Sequence, residues 1–188
     1  MITDKIVDTV KQEIIDAKSY EDIEAVFHRI WPELIKVPDA AVSADLVSLA
    51  MEAVAGKEGN KHFVDYRPVT QKEAKDIHDK TDIDVTGFVH VLDEASVRHM
   101  IRRHGNPETE AKRGQIAVTV EDMALLPLIV SQYDSVEKGN DEPGKLPTIV
   151  YKKRIGACYY FVEEIRSGRR KLAAKTIRKT QPAPSATP

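Results

Sequence analysis

Apolar residues recur at helical spacing through the first third of the chain. Ile6, Val10, Ile14 and Ile15 fall on one face of a first predicted helix. Ser19-Tyr-Glu-Asp opens a second with a capping-type start, and Ile23, Val26, Phe27 and Ile30 form its stripe. Trp31-Pro32 ends it, because the residue before a proline disfavours helix. A third helix begins at Pro38-Asp39, turns Val42, Leu46, Leu49, Ala50 and Val54 inward, and closes at Gly56 and Gly59. Residues 1–56 therefore read as a helical region. Residues 57–86 are polar and read as a linker, with one exposed helix near Thr70–His78.

From Gly87 the period changes. Phe88–Leu92 is a short β-rich run, and a helix follows over Glu94–His104 with Gly105 as its stop. Gln115–Thr119 predicts a short strand. Thr119-Val-Glu-Asp122 predicts a helix start, with Met123, Leu126, Ile129 and Val130 as its apolar positions and Pro127 shortening or kinking it. Residues 134–147 are rich in turn formers. Three strands follow, Thr148–Arg154, Cys158–Ile165 and Leu172–Lys179, with connections at Ile155-Gly156 and Ser167-Gly168 short enough for hairpins. The predicted class is α+β: an N-terminal helical segment, then a small domain over 87–180 with helices packed on an antiparallel β-meander. The Pro-rich tail 181–188 builds no core and is predicted to be disordered.

Charge sharpens this division. Residues 1–90 carry 11 Lys/Arg against 18 Asp/Glu, whereas residues 151–180 carry 10 against 2. A basic concentration of this kind attracts polyanions such as RNA or DNA by counterion release; the alternative is a solvated basic face that pairs with the acidic half. No apolar run approaches the ~20 residues of a membrane span. The lone Cys158 excludes an intrachain disulfide, and the N-terminus lacks the pattern of a signal peptide. A cytoplasmic protein is expected, with no membrane partner.

The segment Ser96–Gly105, SVRHMIRRHG, concentrates the candidate chemistry. Val97, Met100, Ile101 and His104 share one face, so His104 ends the buried stripe where the helix dipole favours a protonated imidazole. It is either a general acid or phosphate ligand, or a cap on the last helix carbonyls. His99 lies on another face with Arg103 one turn on, and Arg98 pairs in spacing with Arg102; these are either a phosphate-facing edge or a solvated basic face. In the strands, alternation sends Lys153 to the Ile149/Tyr151 side and Arg154 to the Val150/Lys152 side. It puts Leu172, Ala174, Thr176 and Arg178 on one face of the last strand. A Lys, an Arg and a Thr converging on one sheet face can hold a phosphate without metal, and Tyr160 can stack a base. His99 and His104 are five apart, poor spacing for chelation, so neither metal nor cofactor is expected.

The ordered pieces VRHMIRRHG (97–105), GQIAVTVEDMALLPLIV (114–130), PTIVYKKRIGACYYFVEEIR (147–166) and RKLAAKTIRK (170–179) resemble phage-associated members of the barnase–EndoU–colicin–RelE (BECR) ribonuclease superfamily. SYEDIEAVFHRIWPEL (19–34) and DLVSLAMEAVAGKEG (45–59) also resemble the C-terminal helices of Mu-like phage portal proteins. The first resemblance implies a metal-independent endoribonuclease of phage or prophage origin, acting as a toxin or effector. In that scheme the RNA 2′-hydroxyl attacks the adjacent phosphate to give a 2′,3′-cyclic phosphate. Carried onto this chain, the catalytic set is His104 or His99, Lys153 or Arg154, and Thr176, with Arg102, Arg103, Arg178 and Tyr160 binding substrate. The implied partners are RNA, tRNA among the candidates, and a phage portal or head protein or a cognate inhibitor, in the host cytoplasm or with the virion. The rival expectation is a non-catalytic phage structural or nucleic-acid-binding module that keeps the fold.

Overall fold

The computed structural model describes residues 40–56, 63–139 and 143–181. The chain divides into two compact units, Met1–Ala40 and Ala41–Pro188, and all the described residues but Ala40 belong to the second. The first two predicted helices, the 19–34 segment and the tail beyond Gln181 lie outside the described residues.

Helix α1 (Ala40–Val54) buries Leu46, Leu49, Ala50 and Ala53, a stripe at i, i+3, i+4 and i+7. The Ser43 hydroxyl donates to the Ala124 carbonyl at 3.0 Å and fixes the helix to the later part of the chain. Val54, expected to face inward, is half exposed at the fraying end.

The segment 57–86 differs from the linker expected there, because it supplies two elements of the domain. Strand β1 (Phe63–Pro68) pairs antiparallel with β2 (Val89–Asp93), and helix α2 (Gln71–Thr81) buries Ala74 and Ile77. β1 is an edge strand that turns only Val64 and Tyr66 inward, so its composition looks like that of a linker. α2 starts with a capping box: Thr70 accepts from the Glu73 amide, and the Glu73 carboxylate accepts from the Thr70 amide.

The order then follows the predicted one. α3 (Glu94–His104) is capped by Asp93, whose side chain accepts from the Ser96 amide at 2.7 Å. Gly105 ends it with a negative φ of −89°, so left-handed backbone is not what selects glycine. A Cβ there would lie 2.4 Å from the Ile101 carbonyl oxygen. An unpredicted helix α4 (Pro107–Lys112) follows, then the short β3 (Gln115–Ile116), a 3-10 turn over Glu121–Leu125 and α5 (Leu126–Ser131), with Pro127 in its first turn. The turn-rich loop holds a short strand, β4 (Ser135–Lys138). β5 (Thr148–Ile155), β6 (Ala157–Arg166) and β7 (Lys171–Thr180) form the meander.

The sheet runs β1-β2-β7-β6-β5-β4, with β3 pairing the end of β7. All pairings are antiparallel except β2 with β7, where Val89 lies opposite Lys171. The chain leaves β2 as α3, packs along β7 and returns as β3 at the strand's far end. One sheet face is closed by the core: Ile149, Tyr151, Phe161, Ile165 and Ile177 are buried. The other carries half-buried Val150, Lys152, Tyr160 and Val162 and stays partly open. Among the described residues no helix is long and apolar enough to cross a membrane.

Candidate functional site

A bulge decides which β7 side chains reach the open face. β6 and β7 pair as Val162 with Thr176 and then Glu163 with Ala174, so Lys175 is the extra residue. Strict alternation would put Ala174 and Leu172 on the face of Thr176 and Arg178. With the bulge, Leu172 and Ala174 enter the core while Thr176 and Arg178 face out beside Val162 and Tyr160.

Between that open face and the last turns of α3 lies a cleft of about 480 Å³. Its α3 wall is His99, Arg103 and His104, and its floor includes Tyr160, Val162 and Thr176. Lys152, Lys175 and Arg178 add cations, and Glu137 from β4 is the carboxylate among its lining residues. Glu137, Val150, Val162, Lys175 and Thr176 also line an adjoining hollow toward Gly139 and Leu146, so the groove continues across the sheet. The Thr176 hydroxyl oxygen is buried in this groove without a hydrogen-bond partner.

Of the residues singled out in the sequence, the cleft gathers His99, His104, Thr176, Arg103, Arg178 and Tyr160. It does not gather Lys153, Arg154 or Arg102. Lys153 pairs in register with Tyr159 on the core side, and its ammonium is held by Asp134 at 2.8 Å. The Arg154 amide donates to the same carboxylate at 2.7 Å. Those bonds hold the Asp134 carboxyl below its usual range in spite of the opposing effect of burial. Arg102 points to solvent on another face of α3. The Tyr160 ring is flanked by Lys152, 5.8 Å from its centroid, and by Arg178 at 4.9 Å. It therefore aligns two cations, and a base would have to displace one to stack on it.

Two features were not read from the sequence. Glu110 on α4 is fully buried and accepts from His104 Nδ1 at 3.0 Å and from Arg113 at 2.6 Å. Burial alone would raise its pKa, but the His104 and Arg113 contacts outweigh it and hold the carboxyl below the usual range. Asn106-Pro107 was the available signal: Asn106 caps the Thr109 amide at 2.9 Å and Pro107 occupies the first turn of α4. The second is Lys152, whose ammonium donates to Glu137 at 2.9 Å inside the cleft.

A separate hollow of about 510 Å³ beside α2 lacks this concentration of cations. Two of its ion pairs close within the lining, Arg67 with Glu73 at 2.5 Å and Lys75 with Asp79 at 2.5 Å, while Asp76 accepts from Tyr133 at 2.5 Å and from Lys80 at 2.8 Å. Among the described residues no three His, Cys, Asp or Glu side chains converge to hold a metal ion.

Searches of curated proteins and of solved structures found no match. A family model described as phage-Barnase-EndoU-ColicinE5/D-RelE like nuclease3 matches residues 67–185, well over half of the chain and nearly the whole sheet with its cleft. The chain therefore belongs to this family of phage-type nuclease domains.

Proposed function

We propose that the chain is a metal-independent endoribonuclease of phage or prophage origin that acts as a toxin or effector. The observation that carries this reading is the cleft in which two imidazoles, three strand cations and an unpartnered buried hydroxyl face one another. In the reaction, a base removes the proton of an RNA 2′-hydroxyl and its oxygen attacks the adjacent phosphorus. The bond to the 5′-oxygen breaks, and an acid protonates that oxygen. The products are a 2′,3′-cyclic phosphate and a 5′-hydroxyl end.

The lining residues match these requirements. His99, His104 and Glu137 are the groups able to exchange protons, while Arg103, Lys175 and Arg178 neutralise charge that builds on the phosphoryl oxygens. The Thr176 hydroxyl has a donor to offer one of those oxygens. A duplex does not present a 2′-hydroxyl in line with the leaving oxygen, so single-stranded RNA, tRNA loops included, is the proposed substrate. The protein would act in the host cytoplasm, alone or released from a virion, and a phage portal or head protein or a cognate inhibitor would be its protein partner.

The test is incubation of the purified protein with total RNA in EDTA, followed by analysis of the ends. Cyclic-phosphate ends that disappear with His104→Ala support the reading. Intact RNA that is nevertheless bound would instead favour a nucleic-acid-binding module on the same fold.

A further inference from the structure

On the ribonuclease reading above, we infer that Glu110 is the positioning residue for His104: it keeps the proton on Nδ1 and presents Nε2 to the cleft, which makes His104 the proton-transferring imidazole and leaves His99 as a phosphate contact.

The arrangement is built locally. Only Gly105 and the Asn106 cap separate α3 from α4, so the chain reverses and brings Glu110 back against His104. Arg113 ties the reversal down, because its guanidinium reaches both Glu110 and, at 3.5 Å, the Arg103 carbonyl. Glu110 has 0% exposure, and a carboxylate buried that deeply must have its oxygens occupied. One accepts from His104 and the other from Arg113.

A carboxylate only accepts, so the His104 Nδ1 at 3.0 Å is the donor. That fixes the tautomer, and Nε2 of the neutral ring is then the acceptor, without a partner among the described residues. His99 lines the same cleft, but its ring makes no hydrogen bond among the described residues and nothing selects its tautomer.

Glu110→Gln in the full chain tests this, because it keeps the side chain's shape and removes the charge. Single-turnover cleavage of a defined single-stranded RNA should slow by about 100-fold while KM changes less than about threefold. Glu110→Asp should recover at least about tenfold of the lost rate. His99→Ala should raise KM more than it lowers the rate.

The readout independent of activity is the ¹⁵N spectrum of the His104 ring. In wild type it should show a protonated Nδ1, and that assignment should be lost in Glu110→Gln. A wild-type spectrum with the proton on Nε2 overturns the inference whether or not Glu110→Gln folds, and so does a Glu110→Gln protein with unchanged rate and unchanged ring signals. Absence of cleavage by wild type would count against the ribonuclease reading, and the ring spectrum would still decide whether Glu110 positions His104.

Discussion

Two fully buried carboxylates in this domain each accept from a histidine Nδ1, and their surroundings differ. Glu163 accepts from His90 at 2.8 and 3.0 Å and from the Tyr66 hydroxyl at 3.0 Å. Tyr66 stacks on the His90 ring with centroids 5.6 Å apart, and Tyr151 meets its edge at 6.3 Å. Burial and Glu163 together push the phenols of Tyr66 and Tyr151 well up, so both stay neutral. The Tyr151 hydroxyl is close enough to feel Glu163 but completes no hydrogen bond. This cluster joins β1, β2, β5 and β6 on the closed face of the sheet. Glu110 and His104 use the same groups beside an open cleft. What differs between the two pairs is what lies beyond the ring: a packed phenol for His90, a cationic groove for His104, and the proposed chemistry of His104 rests on that difference.

The sharpest way to break that comparison is Glu163→Ala. Removing one member of a buried pair leaves the other without its partner, which should cost about 3–5 kcal/mol in urea unfolding. A loss below about 1 kcal/mol would mean that the core pair does not hold the sheet. His104→Ala should do the reverse, reducing RNA cleavage about 100-fold, with a stability loss of about 1–2 kcal/mol because Arg113 still pairs with Glu110. Arg178→Ala should weaken RNA binding and lower the slope of log K against log salt by about 1. If the slope stays the same, Arg178 does not contact a phosphate.

Acid should also report on Glu110. The Glu110 carboxyl is depressed in the folded state, so its contribution is present above the pKa of the unfolded chain. It is lost as pH falls through the lower folded value. Acid titration of Glu110→Gln should therefore show a shallower loss of stability in the carboxylate range than wild type. The smallest effects are expected for Lys153→Ala and Arg154→Ala. Both sit by Asp134 away from the cleft, and cleavage should change by less than about threefold. A hundredfold loss in either would move the reacting centre to that end of the sheet.

Local signals made much of the domain readable. The Val97/Met100/His104 stripe and the alternation of β5 and β6 are patterns within a few residues, and the structure follows them, whereas in β7 the bulge at Lys175 breaks the alternation. β1 and β4 escaped because they have only two and one inward side chains, respectively, and their stability comes from pairing with β2 and β5. Helix geometry gives His104 at the end of the buried stripe and His99 with Arg103 on another face, but not the cleft that gathers them. Glu110 gives no signal of its own, because its place depends on a chain reversal whose result no periodicity records. Lys153 lies outside the cleft for a related reason: alternation gives its side, and the side facing Ile149 and Tyr151 is the closed one.

The extra residue in β7 has a consequence for how the domain tolerates change. Lys175 itself could be exchanged for many side chains with little harm to the fold, since it is a half-buried position whose ammonium pairs, among the described residues, with Glu164 at 3.0 Å. Its deletion should also spare both faces. Ala174 would then be followed directly by Thr176, which is the alternation that pairing with Glu163 and Val162 already requires, so Ile177 would stay in the core and Thr176 and Arg178 on the groove. Loss of the codon for Ile177 has no such slack, because it takes away the core side chain opposite Phe161 and brings Arg178 toward its place.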